Sequence, residues 1–254
     1  DDELVMLLKE RMAVVKEVGE LKERNKDNFF IKSAREADMM KNLIQKTKNF
    51  IRPQAVFNIW RNLITSANVL EQKITAYIYN PDENFEITNS INNYYGNLIE
   101  IVSKDNAQSL LKKLNLDKAG ILAVSSQNND NFWQEIVENH GNLTIFAKIS
   151  EKLSRKPNVF LMAKKNAEKS KADNSVIYVE SNLDVKEISQ FLTKNDFRLV
   201  NILELDFKEN EKSEFVKFVI EVEKFYQLDD KKILDLQNQS QINKLKILGY
   251  YPRF

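Results

Sequence analysis

The feature that most limits how this chain folds is an apolar stripe broken by charge. Leu4, Leu7, Leu8, Val15 and Val18 recur at three- and four-residue spacing, the pattern of one buried face of an amphipathic helix. Arg11 and Lys22 fall on the same face, eleven residues apart, about three turns at roughly 3.6 residues per turn. A desolvated charge is costly unless paired, so a stripe used only for packing would not carry them. The simplest resolution is an anion bound between them.

The following stretches extend the helical pattern. Lys26 to Lys32 reads as a polar break, and Ser33 with Glu36 three residues on reads as a capping box opening a second helix through Met39, Met40, Leu43 and Ile44. Pro53 fits the first turn of a third helix carrying Val56, Ile59, Trp60, Leu63, Ala67 and Leu70. Three such helices make a poor monomeric core and would bury their stripes better against a second copy. Arg11, Lys22, Arg35, Glu36 and Glu71 together describe a pocket for a small dianion, because an arginine fork binds carboxylates bidentately.

Composition narrows the chemistry. The 254 residues suggest more than one domain, and a net charge of +1 gives no global field toward nucleic acid or membrane. There is no cysteine, which fits a cytoplasmic setting, and His140 is the single histidine. These gaps remove Ser-His-Asp and Cys-His catalysis and most zinc sites. No apolar run is long enough to span a bilayer. The chain opens Asp1-Asp2-Glu3, without methionine and already helical in pattern, which implies that its natural start lies upstream.

Beyond Lys73 the pattern changes. Strands are expected at Ile74–Tyr79, Leu98–Val102, Gly120–Ser125, Leu143–Ile149 and Val159–Ala163, with helices at Ala107–Leu116 and Phe132–Asn139. His140, before Gly141, is expected to end the second of these helices, and Trp60 and Trp133 to be core. Lys164 to Asn174 reads as a solvated linker. The last segment gives strand Val176–Val179, helix Val185–Leu192, a hairpin of Phe197–Phe207 and Phe215–Val222 across Lys208–Ser213, helix Lys231–Leu236 and strand Leu245–Tyr250. That is a βαββαβ, ferredoxin-like order. The fold expected is an α+β multidomain chain: a three-helix bundle at 1–73, an α/β lobe at 74–172 and a βαββαβ unit at 173–254.

Leu7-Leu8-Lys9-Glu10-Arg11-Met12, Val15 to Lys22, Ala34-Arg35-Glu36-Ala37 and Ile59-Trp60-Arg61-Asn62-Leu63-Ile64 with Ser66 follow in an order that resembles the all-helical chorismate mutases. The resemblance implies an intertwined homodimer that rearranges chorismate to prephenate with no metal or cofactor. It implies that Arg11 and Arg35 grip the substrate carboxylates, Lys22 sits near the ether oxygen, Glu36 holds the ring hydroxyl and Glu71 donates to the ether oxygen. There are departures. A family arginine that reaches into the partner's site would precede Asp1, an acceptor serine position holds Ala67, and Glu71 donates only when protonated. A slip of one residue would give its role to Gln72, which points about 100° away from the stripe.

The remainder resembles a reduced prephenate dehydratase with a regulatory ACT domain, on the ending Leu245-Lys246-Ile247-Leu248-Gly249-Tyr250-Tyr251-Pro252-Arg253 and the βαββαβ order. The α/β segment is too short for two lobes, and Asn158-Val159-Phe160 stands near where that family has Thr-Arg-Phe. There is no Gly-rich turn at Asn182–Val185, and Leu203-Glu204-Leu205-Asp206 replaces Glu-Ser-Arg-Pro. These departures imply lost dehydratase chemistry and weigh against phenylalanine binding. The expectation is a chorismate mutase of aromatic amino-acid biosynthesis. A catalytically inactive binding protein of that pathway and a bifunctional mutase–dehydratase stand as alternatives.

Overall fold

The computed structural model describes residues 1–24, 31–83, 85–150, 158–165, 168–206 and 214–253, the side chains of 22–24 excepted. The expected breaks at Lys26–Lys32 and Lys208–Ser213 therefore lie mostly or wholly outside the described residues. Three helices open the chain: α1 (Asp2–Arg24), α2 (Ser33–Lys46) and α3 (Pro53–Glu71). Pro53 takes the first helical position of α3, where its missing N–H leaves nothing unsatisfied.

α2 does not begin as the capping-box pattern implied. Ser33 is already inside the helix, Lys32 holds the cap position, and no side chain caps it. Glu36 turns toward α3 instead. The stripe of α1 also differs from expectation. In the single chain Leu4, Leu7 and Val18 are exposed, as are Val5, Met6, Val14 and Leu21, and Leu8 and Val15 are half-buried. The bundle buries Ala34, Ala37, Met40, Val56, Ile64 and Ala67, leaving most of the α1 surface outside. Gly19 is the buried residue of α1 that faces the end of α3. A Cβ there would lie 3.3 Å from Glu71 Cγ.

The α/β region runs β1 (Thr75–Tyr79), α4 (Phe85–Tyr95), β2 (Glu100–Lys104), α5 (Ala107–Leu116), β3 (Gly120–Ser125), α6 (Phe132–Asn139), β4 (Thr144–Ile149) and β5 (Val159–Ala163). β2 and β3 flank β1 in parallel, and β5 lies antiparallel between β3 and β4. β3, β5, α5 and α6 fall on the expected residues, His140 ends α6, and Trp133 is fully buried. Trp60 is only half-buried. β2 sits two residues later than expected. α4 had no expected counterpart: asparagines at 89, 92 and 93 weaken its intrinsic preference, but Ile87, Ile91 and Tyr95 bury one face against the sheet.

The final segment is β6 (Asp173–Ser181), α7 (Val185–Lys194), β7 (Leu199–Glu204), β8 (Val216–Glu223), α8 (Lys231–Gln237) and β9 (Ile242–Pro252). This is the expected βαββαβ order. Its strands pair antiparallel as β9-β6-β8-β7. Asp184 and Glu187 form a reciprocal capping box at the head of α7. One face of this sheet packs on α7 and α8. The other face shares a core with α5 and α6, in which Val176, Tyr178, Val219 and Leu248 join Leu110, Trp133 and Phe160.

The two sets of strands meet where β4 pairs with β9 through Ile145 and Gly249, completing a nine-stranded sheet. Gly249 has φ 144°, and a Cβ there would lie 2.3 Å from the Ile145 carbonyl oxygen. Only glycine fits both the dihedral and the approach. Around this seam lies a buried polar cluster. Lys148 Nζ donates to Glu221 Oε1 at 2.9 Å and to Oε2 at 2.7 Å. Tyr251 donates to the same carboxylate, and Asn174 donates to the Tyr251 hydroxyl at 2.7 Å.

The expected solvated linker from Lys164 is instead anchored where it is described. Lys164 donates to the Asn115 carbonyl at 2.7 Å, at the C-terminal end of α5, where the helix dipole favours a cation. Lys165 donates to the Ile31 carbonyl at 2.9 Å, and burial lowers the pKa of both lysines. Asp173, counted in that linker, is buried and accepts from Ser170 before opening β6.

Candidate functional site

The five residues singled out from the sequence are distributed over the helical bundle as follows. Arg11 lies on α1 and Arg35 in the first turn of α2, and both are exposed in the single chain. Lys22 lies in the last turns of α1, with its side chain outside the described residues. Glu71 is the last helical residue of α3, half-buried against Gly19. Gln72 leaves the helix with an extended backbone, so Glu71 is the one that continues the helical face.

Glu36 is the residue whose geometry is most fully determined. Its Oε2 accepts from Arg61 Nη2 at 2.8 Å and its Oε1 accepts from Asn68 Nδ2 at 3.1 Å. A carboxylate held through both oxygens still has lone pairs free for a further donor. Arg61 is 4% exposed and its other terminal nitrogen donates to the Tyr94 hydroxyl at 3.0 Å. Burial opposes the guanidinium charge, but the facing Tyr94 and Glu36 outweigh it and raise the Arg61 pKa. Burial likewise raises the Tyr94 pKa, with Arg61 pulling it back. The hydroxyl therefore stays protonated at neutral pH.

Residues 1–73 match the family model described as chorismate mutase type II.

The matched span is α1, α2 and α3 together with the first residues after them. Among solved structures, the chain resembles GqqA, described as a novel type of quorum quenching acylase, at 11% identity and a TM-score of 0.49, covering 71% of this chain and 95% of that one. It resembles the prephenate dehydratase of Streptococcus mutans at 14% identity and a TM-score of 0.47, covering 71% and 98%. It also resembles that of Arthrobacter aurescens in complex with L-Phe, at 11% identity and a TM-score of 0.47, covering 70% and 90%. No curated protein matches the chain.

Outside residues 1–73, three residues noted in the sequence, Asn158, Leu205 and Asp206, are placed as follows. Asn158 lines a cavity of about 390 Å³ with Ser126, Gln127, Lys148 and Asn201, but the Lys148 ammonium is engaged by Glu221. Leu205 is buried in the shared core, and the Asp206 backbone N–H donates to the Asn129 carbonyl at 2.6 Å. Among the described residues no helix is long and apolar enough to cross a membrane.

Sequence reasoning left out Arg61, Asn68 and Tyr94. Part of the signal was present. Arg61, Thr65 and Asn68 stand at i, i+4 and i+7 of α3, so they share a helical face, and all three are buried. Tyr94 belongs to α4, a helix the sequence pattern did not reveal.

Proposed function

We propose that the chain is a homodimeric chorismate mutase, with the α/β lobe and the ACT-like unit as assembly or regulatory modules. The match of residues 1–73 to the chorismate mutase type II model carries this reading. The rearrangement is intramolecular, so the protein has to restrain the enolpyruvyl arm over the ring and stabilise charge growing on the ether oxygen. Arg11 and Arg35 grip the two carboxylates, and Lys22 faces the ether oxygen. Glu36 accepts from the ring hydroxyl and Glu71, protonated, donates to the ether oxygen.

Two features of the single chain support that assignment. The Glu36 carboxylate is already oriented by Arg61 and Asn68, as an acceptor for a substrate hydroxyl needs to be. The apolar surface of α1 is uncovered on the helix that carries Arg11. A second copy laid along α1 would bury the stripe and exclude water from the cations, which strengthens their pull on a dianion.

The test is disappearance of chorismate with the full-length chain, with Arg35→Ala as control and the mass in solution measured alongside. A dimer that converts chorismate, and an Arg35→Ala variant that does not, is the expected result. A well-folded wild-type dimer that leaves chorismate unchanged overturns the catalytic reading and leaves a binding protein.

A further inference from the structure

The helical segment meets the α/β lobe where α3 packs on the end of α4, and part of that contact is made by side chains that lead to Glu36. Gly96, just past α4, has φ 64°, and a Cβ there would lie 2.0 Å from Asn62 Oδ1 on α3. One residue before Asn62, Arg61 reaches across to Tyr94, with its guanidinium carbon 4.8 Å from the centre of the tyrosine ring. Tyr94 is itself braced edge-on by Tyr95 at 5.0 Å, and Tyr95 is buried in the core under α4. The chain of contact is therefore continuous: lobe core, Tyr95, Tyr94, Arg61, Glu36.

We propose that Tyr94 and Arg61 are positioning residues for the helical site, through which the α/β lobe sets the orientation of the Glu36 carboxylate. This rests on the mutase reading above and adds to it a role for a residue outside the matched segment. The energetics of the pair disfavour a purely structural role. Arg61 Nε is buried with no partner, so the pair is incompletely satisfied. Buried ion pairs of that kind give little net stability over a well-packed apolar isostere. What the arrangement does supply is direction. Tyr94 holds one arm of the guanidinium, so the other arm meets Glu36 Oε2 in a fixed plane while Asn68 fixes Oε1.

Glu36 contacts a hydroxyl that is present in both substrate and transition state, so misplacing it weakens uniform binding and raises KM more than it lowers kcat. Tyr94→Phe keeps the ring and removes the hydroxyl. The expected result is a KM for chorismate raised by about 3- to 10-fold with kcat within about 2-fold of wild type. In a Glu36→Gln background the same change has no further effect on KM, because residues acting through one group are non-additive. Arg61→Lys is the second variant: an ammonium lacks the rigid planar fork whose two arms reach Tyr94 and Glu36 in fixed directions, so KM rises again and Tyr94→Phe adds nothing on top of it. A purely structural Tyr94 would lower the melting temperature in both backgrounds and leave KM unchanged. An active wild type with that outcome, or with equal KM effects in both backgrounds, overturns this inference alone. A wild type without mutase activity overturns the functional reading and the inference together.

Discussion

The cluster at the seam of the sheet gives the sharpest stability prediction. Glu221 has a side chain 1% exposed and Lys148 one 9% exposed, so neither charge is answered by water. Glu221→Leu leaves the Lys148 ammonium without its counter-charge and takes the acceptor from Tyr251 and from Asn201. Breaking one side of a buried pair costs about 3–5 kcal/mol. The rings of Phe160 and Tyr251, 5.3 and 5.4 Å from Lys148 Nζ, face the ammonium in wild type and variant alike, so they do not replace the lost carboxylate and the expected loss stays at about 3–5 kcal/mol. Against a total stability of about 5–15 kcal/mol that is a large share. Adding Lys148→Met removes the stranded charge. The unpartnered Asn174 Oδ1 can then turn to accept from Tyr251, and the double variant is expected within about 1 kcal/mol of wild type. Urea unfolding followed by Trp133 fluorescence in a Trp60→Phe background measures Glu221→Leu, Lys148→Met alone and the double variant. Additive single losses, or a Glu221→Leu cost below about 1 kcal/mol, would refute the reasoning.

Three other outcomes are expected. Replacing Leu7 by Arg on the exposed surface of α1 leaves the helix intact but forfeits about 1.5–3 kcal/mol of apolar burial per copy, so light scattering should report a monomer; an unchanged mass removes α1 as the contact. Glu71→Gln keeps an N–H donor at every pH, so mutase activity should extend to higher pH than in the wild type, and superimposable pH–rate profiles would take Glu71 out of the reaction. Tyr77 and Tyr250 are pushed up to about 12, by burial first and then by nearby carboxylates, whereas an unfolded tyrosine titrates near about 10. The folded state thus holds more protons above pH about 10, so the stability these groups give is complete below that value and is lost as pH rises toward 12. A urea midpoint that does not fall across that window would contradict the assignment.

How much was legible in the sequence depended on whether a local pattern decided the outcome. The βαββαβ order could be read because each element carries its own period, and β3, β5, α5 and α6 fell on the expected residues for the same reason. α4 could not be read, since its asparagines speak against helix and only the sheet beneath Ile87 and Ile91 overrides them. At Ser33 and Glu36 the capping-box spacing was present, but a buried guanidinium competes better for the carboxylate than a backbone N–H at an exposed helix start. The residues around Glu36 were half legible: Arg61 and Asn68 share a face of α3, while Tyr94 comes from a different layer of the molecule. Periodicity on α1 showed that a face is apolar, but the single chain leaves that face uncovered.

The absence of a side chain at Gly249 has a mechanical consequence. The strands before β6 and those from β6 onward touch backbone to backbone at that residue, and the buried Lys148–Glu221 pair bolts them together beside it. Whatever bends the C-terminal strands has to be taken up by β4 and its neighbours, and α4 leans on that same layer. Even an alanine at 249 would act as a wedge, separating two half-sheets that otherwise flex as one plate.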